Sequence, residues 1–551
     1  MSTTFRTFIL ALMLGAVVAP AAQASPEQLS IMMDDNLLVY RDDSTAARAL
    51  TQMQSLGVDA VRVTVLWKNV AENARFSKAE LAKLPKGKIK RGAQKQSSRF
   101  KAANPSTYPI RNWDRYDNLV KAAGERGIRI YFNVTGPGPS WAHTKPPANL
   151  RALAGPYKPK PGAFKQFVQA VGTRFSGAYR DENGSRGTLP RVSFWSLWNE
   201  PNQAGWLSPQ WEQRGSSVVP ASPALYRKLY QYGYRGLVAS GHRVDNDVIL
   251  LGETAPLGVD NRNPKSPIRP GLFLRELACI APNGTPYSGN AAKARDCGDF
   301  GARGGLQANG YAHHPYTKNV PPTVRDPNPD SMTMANASEL GTLLDTIASR
   351  SNGAIPANLP LFMTEFGFET NPPDPYSGVP LASQAQFNMI GEWQAWSDPR
   401  ISAQSQFLLQ DVEPVRTHRR GSKAYWFTYQ SGLYYNSRTN PGAKPAAFAY
   451  QLPFLAMPTE AVDLATGNPK FTLWGQLRFL KNGMPAVAHI QWKPADNSLD
   501  WQTVGEPAPV DARGYFNVER FVPANVAGEW RAAFLGPDGA LQVSSIPQTG
   551  P

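Results

Sequence analysis

Cysteine and histidine are both scarce: the 551 residues include two Cys, Cys279 and Cys297, and six His. So few soft ligands argue against a structural zinc site, and no metal or cofactor is expected. The two Cys lie 18 residues apart in a loop-rich region. An even pair in an exported chain predicts one local disulfide, with two buried free thiols as the alternative. Acidic residues are also short, 42 against 58 basic ones, for a net charge of +16. Much of the excess falls between Lys78 and Lys101, a run that reads as a solvated loop. That loop suits contact with an anionic glycan or cell surface, whereas no nucleic-acid motif accompanies the charge. Beyond the N-terminus, no apolar run is long enough to span a bilayer.

The N-terminus has Arg6, a short apolar stretch to Ala19, and Ala22-Gln23-Ala24 before Ser25. This pattern predicts a signal peptide over residues 1–24 and a secreted or periplasmic protein. No Cys stands at the cleavage site to take a lipid anchor. The length predicts more than one domain.

Two stretches share one design. Arg191 to Asn202 runs as an apolar, aromatic strand into Trp198-Asn199-Glu200-Pro201, where proline ends strand pairing. Leu359 to Phe368 repeats the plan and delivers Glu365 and Gly367. A carboxylate at the end of a buried strand is poorly placed to build a core and well placed to meet a ligand. Two of them converging on one cleft are the minimum equipment for cleaving a glycosidic bond.

Six further strand patterns surround these two, at Leu29–Asp35, Val58–Trp67, Ile128–Val134, Val248–Glu253, Gly310–Tyr316 and Ala403–Asp411, with helical periods between them. Eight alternating strands and helices predict an α/β fold, a (β/α)8 TIM barrel over 25–456, whose strand ends line the site. A doubly wound sheet is the competing architecture, but no Gly-rich phosphate loop follows the first strand. From residue 457 to 551 the helical period stops, and short alternating runs such as Phe471–Trp474 and Trp530–Phe534 predict a small β-sandwich domain.

The pair Trp198-Asn199-Glu200-Pro201 and Thr364-Glu365-Phe366-Gly367 resembles clan A glycoside hydrolases, most closely family 5 (cellulase-like) and family 39 (β-xylosidase and iduronidase-like). The resemblance covers about residues 30–455 and implies a retaining hydrolase of a polysaccharide or oligosaccharide. It casts Glu200 as general acid/base, Glu365 as nucleophile, and Arg62 as the cation that orients Glu365. It implies that Asn199 bonds the sugar 2-hydroxyl and that His314 and Tyr316 form a His-x-Tyr pair, with His313 as an alternative in register. The sequence departs from the cellulase-like pattern at Asn133, where a His is usual, and at strand eight, which lacks a terminal Trp. Trp141, Trp206 and Trp426 are candidate sugar platforms, or they pack beneath their loops. A non-catalytic carbohydrate-binding protein on a degenerate barrel is the alternative function.

Overall fold

The computed structural model describes residues 27–549 apart from 184–186, 299, 301–303, 438–441, 481–486, 523–526, 537–538 and 545–547. The expected signal peptide lies outside the described residues.

Eight parallel strands close into a barrel: β1 (Leu29–Met33), β2 (Ala60–Leu66), β3 (Arg129–Thr135), β4 (Phe194–Leu197), β5 (Val248–Thr254), β6 (Gly310–His313), β7 (Leu361–Met363) and β8 (Ile401–Phe407). Each pairs with its neighbour in sequence, and β8 closes on β1 with Leu29 opposite Ala403 and Met33 opposite Phe407. Helices α1 (Asp43–Ser55), α2 (Arg111–Gly124), α3 (Pro161–Arg174), α4 (Ser222–Ala239), α5 (Pro270–Leu277), α6 (Ala337–Arg350), α7 (Leu381–Ser397) and α8 (Pro445–Gln451) follow the strands in turn. The predicted (β/α)8 barrel is therefore the observed one.

Period-two alternation assigns the two faces of each strand. On β2, Val61, Val63 and Val65 face outward into the strand–helix core, while Ala60 and Arg62 point into the barrel. One residue from each strand, from Ile31 on β1 to Ala403 on β8, makes an apolar layer inside the barrel. Two residues further along the strands the layer turns polar, with Arg62, Asn133, Ser196, His314 and Thr364. The apolar layer seals the barrel, and the polar one opens toward the strand ends.

Two findings differ from the sequence reading. The basic run after β2 is not a loop but two helices, Lys78–Lys83 and Lys88–Arg99. Ser77 and Glu80 form a capping box at the first, and the Lys, Arg, Gln and Ala that fill the run are good helix formers. Ala93 is their one buried residue, so charge and helicity coexist on an exposed element. Several β strands are also shorter than predicted at their carboxyl ends, where the chain leaves the ladder to build the site.

The C-terminal part is antiparallel. β9 (Phe454–Val462), β10 (Pro469–Gln476) and β12 (Tyr515–Phe521) form one sheet, while β11 (Val487–Pro494) and β13 (Gly528–Leu535) centre another. Their own core includes Phe471, Leu473, Ile490 and Trp530. This part meets the barrel where the first strands begin. Arg513 donates to Gln28 O at 2.8 Å and Asp59 Oδ2 at 2.7 Å, and Arg478 reaches Ser30 Oγ at 2.7 Å. Cys279 and Cys297, in the segment between α5 and β6, are joined by a disulfide.

Candidate active site

At the carboxyl ends of the strands a cleft of about 640 Å³ opens, lined by Asn199, Glu200, Tyr316 and Glu365 among others. Beneath it, Arg62 is fully buried and branches to four partners, one of them Met33 Sδ at 2.9 Å from Nη1. Its Nη1 donates to Glu365 Oε1 at 2.8 Å, and its Nη2 donates to Asn199 Oδ1 at 2.7 Å and Glu253 Oε2 at 2.9 Å. Tyr316 OH donates to the other Glu365 oxygen at 3.0 Å. Glu365 thus accepts a donor on each oxygen. Burial pushes its carboxyl up, the charges of His314 and Arg62 pull it back, and Glu200 and Glu253 raise it further.

His314 links all three glutamates. Its Nδ1 lies 2.9 Å from Glu200 Oε1 and 3.6 Å from Glu365 Oε2, and its Nε2 lies 2.7 Å from Glu253 Oε2. Both ring nitrogens face carboxylates, so both donate, and the ring is an imidazolium. Burial alone would lower its pKa, but the charge of Glu365 and the bonds to Glu200 and Glu253 push it up to about 10. His313 faces away from the cleft, toward Thr254 Oγ1 at 2.9 Å and Met332 O at 2.7 Å, and burial drops it to about 3. Alternation on β6 separates the two rings, and His314 is the one at the site.

Glu253 is the residue the sequence reading left without a role. It is fully buried, and Arg62, His314, Thr364, Ser196 and Tyr131 all donate to it. Burial works against its charge, but Arg62 and His314 hold it well below the usual carboxylate range. Glu365, with fewer donors and two carboxyl neighbours, moves the opposite way. Strict alternation on β5 would turn Glu253 outward beside Leu251. A bulge intervenes: the β5–β6 register shifts between Gly252 and Thr254, with φ of 108° at Gly252 and 54° at Glu253. Gly252 was the available signal, since an isolated glycine in a strand often marks a bulge.

One oxygen each of Glu200 and Glu365 and a His314 ring nitrogen all lie within 4.8 Å of one another. That spacing could also hold a cation, but His314 commits both nitrogens to protons and Glu365 is already paired with Arg62. Glu200 and Trp198 sit at φ of 35° and 77°, rarely populated by such residues, and the Glu200 N–H is tied to Glu253 O at 2.9 Å. Asn199 is fixed by Thr135 Oγ1, which accepts its N–H at 2.9 Å. Asn133 bonds Ser196 Oγ and Trp198 O, supporting the turn beneath the cleft.

The three tryptophans separate. Trp206 lines the cleft. Trp141 packs under its loop, edge-on to Trp67 and Phe100, and does not line the cleft. Trp426 stacks edge-on against Tyr425 and is likewise outside the lining. In its place the β8 side offers Phe407 and Tyr429, whose rings meet edge-on at 5.2 Å. Tyr429 comes from a long loop and carried no local signal.

No family model and no curated protein matches the sequence. The structure is similar to a family 39 glycoside hydrolase from the gut symbiont Bacteroides cellulosilyticus WH2, at 12% identity and TM-score 0.43, covering 91% of this chain and 80% of that one. It is similar to GH5_18 from Streptomyces cattleya, solved in complex with GlcNAc, at 15% identity and TM-score 0.37, covering 77% and 78%. It is also similar to a family 1 β-glucosidase from Thermotoga maritima, at 12% identity and TM-score 0.42, covering 74% and 85%.

Proposed function

We propose that this protein is an exported retaining glycoside hydrolase acting on a polysaccharide or oligosaccharide. The observation that carries the reading is the approach of Glu200 and Glu365 oxygens to within 4.8 Å. Retaining enzymes hold their two carboxyls about 5–5.5 Å apart, whereas inverting enzymes leave about 6.5–9.5 Å for a water. The separation supports direct attack by one carboxylate.

Glu365 is the nucleophile. Arg62 and Tyr316 aim donors at its two oxygens, which orients a carboxylate and leaves a lone pair for the anomeric carbon. Glu200 is the acid/base, with its side chain 20% exposed to the cleft and one oxygen tied to His314. In the first step Glu365 attacks the anomeric carbon while Glu200 gives its proton to the departing oxygen. In the second, Glu200 takes a proton from water, which attacks the same carbon and releases Glu365. Two cations, Arg62 and His314, stand against three carboxyls, so one proton completes the charge balance and is the one transferred. Asn199, held by Arg62, bonds the sugar hydroxyl beside the reacting carbon. The disulfide fits an oxidising compartment outside the cytoplasm.

Hydrolysis of a panel of aryl glycosides and polysaccharides tests the reading. Glu365→Gln should lose about 10³-fold or more in kcat, and NMR of the first product should show the substrate's anomeric configuration. Full activity in Glu365→Gln, or an inverted product, would sink it.

A further inference from the structure

The cleft and the molecule carry opposite charge. The chain has a net charge of +16, yet the described residues lining the cleft bring four carboxyls, Asp35, Glu200, Glu365 and Glu369, and one cation, Lys318. The basic insertion contributes no lining residue. Arg62 and His314 lie below the surface, fully buried, with both terminal nitrogens of one and both ring nitrogens of the other bonded to Glu or Asn side chains. Neither can turn to meet a second anion.

Two of the four carboxyls are not needed for the chemistry. Glu369 stands against Asp374, which is 1% exposed and accepts the N–H groups of Tyr376 and Ser377 at 2.8 and 3.2 Å. Burial and the hydrogen bond and charge of Asp374 push Glu369 up to about 8, so one proton is shared across neutral pH. Asp374 accepts a backbone N–H on each oxygen, and Glu369 is the member of the pair that lines the cleft. On the β1 side, Asp35 accepts Thr64 N–H at 3.0 Å, and burial pushes its carboxyl up as well. A sugar carboxylate brought here would join four carboxyls faced by one lining cation, Lys318.

The rest of the lining brings uncharged groups: aromatic rings, amides, hydroxyls and aliphatic side chains such as Leu66 and Val412. Tyr376 and Tyr429 are 50% and 55% exposed, rings that offer flat faces to sugar C–H groups. We propose that the cleft selects neutral, hydroxyl-rich glycans and rejects chains of uronic acids. The inference rests on the glycosidase reading and narrows it. The excess of basic charge is a property of the outer surface and does not choose the sugar.

Two measurements separate this inference from the reading beneath it. The first is hydrolysis of aryl glycosides in matched pairs, glucoside with glucuronide and galactoside with galacturonide. The second is equilibrium binding of neutral oligosaccharides and oligouronates to Glu365→Gln, each competed by the other. Neutral ligands should be preferred by about 100-fold or more, since like-charge contacts are costly in a desolvated site. Glu369→Lys should narrow that gap by about tenfold by supplying a cation where the shared proton was. Uronides cleaved as well as their neutral partners, or oligouronates displaced from the cleft by neutral sugars at equal affinity, would overturn the inference. So would binding of neither class. Neutral binding without hydrolysis would leave the inference standing and overturn the glycosidase reading alone.

Discussion

At the scale of single residues, the site depends on a buried ion cluster whose unreacting member is Glu253. The charge of Glu365, with the hydrogen bonds to Glu200 and Glu253, keeps His314 protonated, and His314 bridges Glu200 and Glu253 beside Glu365. The pH dependence follows with a definite sign. His314 is raised from about 6.5 when unfolded to about 10 when folded. A group raised on folding contributes its full stability below the unfolded value and loses it as pH climbs through the folded one. Unfolding free energy from urea titrations should therefore fall between about pH 6.5 and 10, with a shallower slope in His314→Gln. In Glu253→Gln, nitrogen NMR should find the His314 ring losing its proton at lower pH than in the parent. The same variant should lose about 10²-fold in kcat/KM, because misplaced catalytic groups are costly even without a change of chemistry. A His314 ring that titrates identically in both proteins would remove Glu253 from this role.

At the scale of elements, the bulge on β5 makes that cluster. A Cβ added to Gly252 would lie 2.5 Å from Ala312 O and 2.6 Å from the Tyr311 ring, at a φ of 108° that side chains rarely adopt. Gly252→Ala should destabilise the protein by about 3 kcal/mol and lower kcat by turning Glu253 out of line. Denaturant unfolding within about 0.5 kcal/mol of the parent would mean the bulge tolerates a side chain. This element also marks where sequence reading stopped. The strand ends bearing Glu200 and Glu365, and Arg62 within β2, were legible because buried strands read as apolar runs that stop abruptly, at Pro201 after the first glutamate and at Gly367 after the second. Glu253 was seen at a strand end but left without a task, since the bulge that aims it breaks the period. Tyr376 and Tyr429 were not legible at all, because loops of the β7 and β8 ends place them by long-range packing. The helices of the basic insertion were legible in principle, through Ser77 and Glu80, but the charge run masked the cap.

At the scale of the whole molecule, support and chemistry occupy opposite ends of the barrel. The strands' carboxyl ends hold the cleft, and the amino ends of β1 and β2 rest on the C-terminal sheets. Arg478 is the chief link, 4% exposed, bonding Tyr450 O at 2.8 Å, Ser30 Oγ at 2.7 Å and Glu392. Its guanidinium also lies over the Tyr450 ring, 4.1 Å from the centroid. Trp396 of α7 meets Trp474 and Tyr515 across the same junction, at 5.9 and 5.8 Å between ring centroids. A junction buried this well should melt together with the barrel. Removing one partner of a buried ion pair leaves the other unpaired, at about 3–5 kcal/mol. Arg478→Ala should therefore lower the unfolding midpoint of the whole chain in a single transition. No described residue of this junction lines the cleft, so kcat and KM should stay at parental values below that midpoint. A separate early transition in calorimetry would show that the sheets unfold alone, and a changed KM would show that they reach the substrate.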